Sequence, residues 1–394
     1  MRVVVAVDSF KGSLSTREAG EAAAAGVRAA VPDADVVVVP VADGGEGTAE
    51  CLADAWGTSL RTLTTTDALG RPCAATWGRS ADGARAVVEI ASASGLPGVQ
   101  DVPLRAREAS TLGTGALLAA ALDAGAREVL LCLGGSATTD GGAGLLVGLG
   151  ARLLDADGQD LPPGGGALAR LARLDLSGLH PRAGEVRWRL ACDVTNPLLG
   201  PGGAAAVYGP QKGAGTRDVE VLDACLARWA AVLQETTGVD VTGLPGVGAA
   251  GGAPAALVAV LDAGLEAGAP LVLAEAGLPQ QLSRGADLVL TGEGSCDDQS
   301  VQGKVVDGVA RAVREESACA AAAVVVLAGR VAISPARLAE AGVDAAFSIA
   351  PGPSELVDLQ RDAARLLADV AERVTRLVSR AGGSPAVRDV QHEA

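Results

Sequence analysis

The sequence predicts an α/β protein of two domains, on three observations. Short continuous apolar runs at 2–7, 35–39, 129–133, 187–194, 287–290, 322–327 and 345–349 alternate with helical patterns, as parallel strands covered on both faces do. Between about 60 and 91 the texture changes. RTLTTTDALGRPCAATWGR and ARAVVEIAS read there as strands joined by short polar turns without helices, an antiparallel pattern and a different domain. The first texture returns in the last third, so one parallel-sheet domain is discontinuous (1–60 with 285–380) and a mixed α/β domain is inserted at 61–284. At 394 residues the chain is long enough for both.

In chain order, RVVVAV is a buried strand, and Ser15 is the N-cap of a helix reaching Ala30. The strand at 35–39 ends in VADGGEGT, and a helix resumes at Thr48. After the antiparallel portion, a helix at 113–125 leads into the strand at 129–133. A glycine-rich turn and helically spaced apolar residues follow. The stretch 155–186 is loop-rich, and the strand at 187–194 delivers Asp193 and Asn196 into CDVTNPLLGPGG. Helices are expected at 218–236 and 253–264. The strand at 287–290 ends in the loop TGEGSCDDQS, followed by a helix at 302–315. Two further strands and an amphipathic helix to about 380 complete the pattern, and the tail 381–394 reads as disordered.

Composition narrows the function. The net charge of −15 argues against nucleic acid, because phosphate neutralisation needs a basic face. No apolar run approaches the roughly 20 residues of a membrane span, and the N-terminus has no signal-peptide core, so a cytoplasmic enzyme is expected. The seven cysteines never form a CxxC pair and there are only two histidines, which argues against an ordinary zinc site and fits a reduced compartment. A homo-oligomer is left open. Lysine is scarce: the three are Lys11, Lys212 and Lys304, all in turn-like sequence beside glycine. Such scarcity suggests lysine is kept where a compact ammonium is required and arginine's wide fork does not fit.

The stretch EVLLCLGGSATTDGGAGLLVGLG (128–150) has the order strand, glycine turn, helix. Glycines let backbone N–H groups approach a ligand, and a helix start attracts anions. Gly134, Gly135, Ser136, Thr138, Gly141 and Gly142 are therefore candidate phosphate ligands, with Asp140 a candidate metal ligand; a capped turn without ligand is the alternative. Asp8, the Asp43/Glu46 pair, Asp193 and the Glu293/Asp297/Asp298 group supply carboxylates, as a magnesium–nucleotide site requires. Each is also a plausible turn residue, Asp193 least so, because it ends a strand beside the chain's sole asparagine. No GxxxxGK[ST], HRD or DFG pattern is present. The GxGxxG match at Gly246, Gly248 and Gly251 lacks a preceding strand and reads as a glycine-rich helix start, although it leaves a nicotinamide-dependent oxidoreductase as one rival reading. A non-catalytic sensor of an anionic metabolite is the other.

Together, DSFKGSLS, PVADGGEGT, GTGALLAAALDAGA, GGSATTDGGAG, CDVTNPLLGPGGAAAVYGPQKGA, GAAGG and TGEGSCDDQSVQGK resemble the bacterial glycerate kinases of the first type, in order and with normal spacing from about Arg2 to Arg376. The resemblance implies ATP- and Mg2+-dependent phosphorylation of D-glycerate to 2- or 3-phosphoglycerate. It also implies a flavodoxin/Rossmann-like domain and a domain with a restriction-endonuclease-like core. The chain departs from the family pattern at Leu112 (usually aromatic), Thr139 (usually Asn), Ser295 (Arg) and Asp298 (Gly), which bears on substrate choice and leaves another small hydroxy acid as an alternative acceptor.

On loop placement and residue type, Asp193 is expected as general base or metal-orienting carboxylate. Lys11 is expected to neutralise the glycerate carboxylate or the moving phosphoryl group. Asp8, Ser9, Asp43, Gly44, Gly45 and Asn196 are expected to bind substrate. Gly134 to Gly142 and Lys304 are expected at phosphates, and Asp140, Glu293 and Asp297 at the metal. The glycine loop's cations are expected from around Lys11 and Lys304.

Overall fold

A computed structural model describes residues 1–382; the tail expected to be disordered lies, from 383 on, outside them. The chain divides into two compact units. One joins Met1–Ala42 to the chain from Leu273, and the other is Asp43–Val272.

The first unit is built on a five-stranded parallel sheet, ordered Ala345–Ser348, Ala323–Val331, Leu288–Cys296, Arg2–Val7, Asp35–Val38. Numbered along the unit and read from the opposite edge, that is the order 2-1-3-4-5. Strands that are nearly all Val, Leu and Ala bury both faces. On one face Val3, Val5 and Leu290 meet Ala19, Ala23 and Val27 of helix Thr16–Ala30 and Leu367, Ala371 and Val374 of helix Ala363–Gly382. On the other, Val4, Val289 and Val326 meet Val306, Val309 and Val313 of helix Val305–Glu315. The first helix starts where expected, because Ser15 and Glu18 form a capping box.

One boundary differs from the sequence reading. The strand expected to end at Leu290 runs on to Cys296, so Glu293 sits in a strand and not in a loop. Glycine allows this. A Cβ on Gly292 would lie 1.8 Å from the Leu327 carbonyl oxygen, so only a bare backbone lets the neighbouring strand approach that closely.

The second unit holds a six-stranded mixed sheet, ordered Gly264–Glu266, Arg187–Ala191, Glu128–Cys132, Arg85–Glu89, Pro72–Arg79, Arg61–Thr66. The first four strands are parallel and the last two pair antiparallel, as the change of texture near residue 60 predicts. Glu89, Cys132, Ala191 and Glu266 are cross-strand partners, so the four parallel strands end level. Their following loops therefore crowd one edge. The strand Gly264–Glu266 replaces the end of an expected helix. Helix Pro254–Leu261 stops because Asp262 takes a left-handed conformation, φ 52°. Leu117, Leu118 and Leu122, with Leu222, Leu226, Trp229 and Leu233, fill the core.

Candidate active site

At the carboxyl edge of the second unit's sheet lies a cavity of about 440 Å3. Its wall includes Asp43–Gly45, Gly134–Ser136, Asp193, Tyr208, Gln211 and Lys212.

The Asp43 loop is a carboxylate on a tight turn. Asp43 Oδ1 accepts the Gly45 N–H at 2.9 Å, and Gly44 is left-handed at φ 88°, a conformation glycine adopts without penalty. Helix Thr48–Ala55 follows, and its first turn is satisfied from another strand: Glu89 Oε1 accepts the Ala49 N–H at 2.7 Å. Burial pushes the Glu89 carboxyl up to about 7. The Ala49 N–H opposes that rise, and the charge of Glu46 adds to it.

Asp193 follows the strand Arg187–Ala191. Its Oδ1 accepts the Gly268 N–H at 2.7 Å. A Cβ on Gly268 would lie 2.4 Å from the Asp43 carbonyl oxygen and 2.7 Å from Asp193 Oδ2. One glycine thus holds both acidic loops together.

The glycine-rich turn has two parts with different roles. Gly134, Gly135 and Ser136 line the cavity. Thr138, Thr139 and Asp140 are buried behind it. Asp140, expected as a metal ligand, is instead the turn's own anchor. Its Oδ2 accepts Thr111 N–H at 2.8 Å, Thr111 Oγ1–H at 2.9 Å and Gly144 N–H at 3.3 Å, and its Oδ1 accepts Gly142 N–H at 3.2 Å. The start of the short helix Ala143–Gly148 therefore serves Asp140, which removes it as a phosphate cradle. Gly141 and Gly142 are correspondingly closed off. A Cβ on Gly141 would lie 2.4 Å from Trp229 Cδ1, and one on Gly142 2.3 Å from the Ala253 carbonyl oxygen.

Lys212 enters this loop from the turn after Pro210. It is 2 % exposed, and its Nζ donates to Ser136 Oγ at 2.9 Å and to the Thr138 carbonyl at 2.6 Å. Burial draws the Lys212 ammonium down to about 7, against the attraction of Asp140. Lys212 is thus a cation within this loop, beside which the expectation for Lys11 and Lys304 still stands.

Asn196, expected to touch substrate, spends both ends of its amide on the protein. Nδ2 donates to the Gly202 carbonyl at 2.8 Å and Oδ1 accepts from Tyr208 O–H at 2.7 Å. The chain's only asparagine thereby orients its only tyrosine, a residue of the cavity wall.

The model of the glycerate kinase family matches residues 3–379. A Bacillus subtilis glycerate kinase is 43% identical over 377 residues, covering 95% of this chain and 97% of its own. Glycerate 2-kinase of Escherichia coli K12 is 43% identical over 352 residues, covering 89% and 90%. A crystal structure from Salmonella typhimurium LT2, assigned as glycerate kinase 2, superposes with a TM-score of 0.87 at 41% identity, over 98% of this chain and all of that one. The chain belongs to the glycerate kinase family.

The other candidate residues of this family member lie in the first unit. Asp8 follows the strand Arg2–Val7, with its N–H on the Gly292 carbonyl at 2.8 Å and its Oδ1 accepting the Ser9 N–H at 2.6 Å. Lys11 is exposed in a turn closed by Phe10 and Leu14. A Cβ on Gly294 would lie 3.7 Å from Lys11 N, which puts Asp8, Ser9, Lys11 and Glu293 at one edge of the parallel sheet. Asp297 caps a turn through Gln299 N–H at 2.9 Å, and Lys304 is the N-cap residue of helix Val305–Glu315. Among the described residues no group of three or more His, Cys, Asp or Glu side chains could hold a metal ion. The glycines of GVGAAGG back the loop of the second unit: Gly251 accepts the Gly141 N–H at 3.1 Å and lies against Thr138.

Sequence reasoning did not place Lys212, Tyr208 or Gln211 at the site. For Lys212 the signal was present, since the scarcity argument applied to all three lysines. For Glu89 no signal existed, because an acidic residue at the end of a strand does not announce its burial.

Proposed function

We propose that this chain is a D-glycerate kinase of the first bacterial type, transferring the γ-phosphoryl group of ATP to an acceptor hydroxyl. The observation that carries this reading is a single cavity that combines two carboxylates, Asp43 and Asp193, with one buried ammonium, Lys212. A volume of about 440 Å3 lies within the range of small-molecule sites. In the step itself, the acceptor hydroxyl loses its proton to Asp193 as its oxygen bonds to the γ-phosphorus. The bond from that phosphorus to the bridging oxygen breaks, and ADP leaves. The Gly268 N–H holds Asp193 Oδ1 and so orients the carboxylate that takes the proton.

Magnesium fits Asp43, since it takes one or two carboxylates and leaves its remaining positions to phosphate and water. It does not fit Asp140, whose oxygens accept four protein donors. When bound, it would neutralise charge on the transferring phosphoryl group.

The strand order 2-1-3-4-5 supports a flavodoxin-like reading of the first unit, in which ligands sit at the switch point beyond the first and third strands. Asp8 and Glu293 stand there. We assign Asp8, Ser9 and Lys11 to substrate or phosphoryl oxygens, Lys304 to phosphate, and Glu293 and Asp297 to the metal. The inserted unit takes the restriction-endonuclease-like core. The name of the E. coli relative supports the 2-hydroxyl as acceptor.

A coupled assay with D-glycerate and Mg-ATP tests the proposal, with phosphorus NMR of the product to separate the 2- from the 3-phosphate. ADP release no greater than without acceptor, across a panel of small hydroxy acids, would overturn it.

A further inference from the structure

Lys212 is more than a staple of its loop. An ammonium has three N–H donors, and two of these are used, on Ser136 and Thr138. The side chain is 2 % exposed and yet forms part of the cavity wall. A buried charge is costly unless it is paired and hydrogen-bonded. The carboxylate that acts on it is Asp140, which stands behind the loop and is already shared among four other donors. Asp43 and Asp193 are the other charged groups of the cavity wall. With its charge only partly compensated, Lys212 is drawn down to about 7. An anion arriving in the cavity would complete the pairing.

We propose that Lys212 is the anion receptor of this cavity, giving its third N–H to a carboxylate or phosphoryl oxygen of a bound substrate. The proposal rests on the kinase reading and adds to it the group that recognises the anion. The local chain suits a compact cation on a rigid turn. Lys212 ends a short 3-10 turn begun by Pro210, and Gly213 follows at φ 88°, where a Cβ would lie 2.5 Å from Leu104 Cβ. A lysine loaded in this way changes its protonation on binding. Near pH 8 the empty cavity holds a mostly neutral amine, and the anion restores the ammonium, so binding takes up about one proton.

Calorimetric titration of the full chain with D-glycerate and, separately, with Mg-ATP, at pH 8 in buffers of different ionisation enthalpy, tests this directly. Proton uptake approaching one per site is expected with whichever ligand presents the anion. In Lys212→Met, which keeps the length without the charge, that ligand's affinity should fall about tenfold to hundredfold and the proton uptake should vanish. Loss confined to D-glycerate identifies the carboxylate, and loss confined to Mg-ATP identifies the phosphoryl group. A merely structural role would weaken binding without moving the proton count. Wild-type turnover with no proton uptake, or unchanged affinities in a folded Lys212→Met, overturns this inference and leaves the kinase reading standing. Absence of wild-type turnover and binding removes both. Should Lys212→Met not fold, the proton count on the wild-type chain alone decides.

Discussion

Gly268 gives its N–H to Asp193 Oδ1 at 2.7 Å, and it is wedged so that a Cβ would lie 2.7 Å from Asp193 Oδ2 and 2.4 Å from the Asp43 carbonyl oxygen. A methyl group there has to move backbone on one side or the carboxylate on the other. Gly268→Ala should therefore cost about 1–3 kcal/mol of stability as an overpacked site and lower kcat at least about tenfold through misplaced carboxylates. Urea denaturation and steady-state kinetics on the same preparation check both. A destabilised variant with normal kcat would show that the carboxylate geometry tolerates the shift.

Asp193→Asn separates position from chemistry. The amide oxygen still accepts the Gly268 N–H, so the loop should keep its place while the proton acceptor is lost. Turnover should fall about 10²-fold or more if Asp193 is the base, with KM for glycerate little changed. Near-normal kcat would move the base elsewhere.

Glu89 makes stability depend on pH in a definite direction. Its carboxyl is pushed up to about 7 in the folded chain from an ordinary 4.5, first by burial. A raised carboxyl binds its proton more tightly when folded, so its contribution to stability is complete below about 4.5 and disappears as pH rises through about 7. Glu89→Gln keeps an oxygen for the Ala49 N–H and removes the titration. The stability difference between wild type and Glu89→Gln should therefore shift between pH 4.5 and 8, against the wild type, on the order of 3 kcal/mol. Parallel stability curves across that range would rule out the assigned shift.

Where the sequence was readable, local chemistry set the outcome. Ser15 with Glu18 starts a helix whatever lies around it, and the change from alternating helices to consecutive strands near residue 60 does mark a mixed sheet. Asp43 and Asp193 were visible because polar residues after buried strands collect at one sheet edge. What was not readable depends on contacts between residues far apart in sequence. Nothing near residue 140 announces that Thr111, 29 residues earlier, will occupy Asp140 Oδ2 with both its N–H and its hydroxyl. Nothing near residue 212 announces that its lysine reaches the loop 76 residues earlier. Leu112, a departure from the family pattern expected to bear on substrate choice, lines a separate cavity of about 50 Å3 with Val147 and Leu153.

Asp140 offers a clean decision between the role the sequence suggested and the one the geometry gives. As an anchor, its two oxygens accept four hydrogen bonds in a fully buried setting. In Asp140→Asn, the new NH2 must face at least one N–H donor whichever way the amide turns. A buried donor left unsatisfied and pressed against another donor is expensive, and the loss of stability should be about 3–5 kcal/mol, read by urea denaturation without magnesium or nucleotide. A metal ligand behaves differently. Its loss would leave the apo protein nearly as stable as wild type and raise the magnesium concentration needed for half-maximal turnover. A variant with stability within about 1 kcal/mol of wild type and a raised magnesium requirement would restore Asp140 to the metal, and the anchoring role would then have to pass to Thr111.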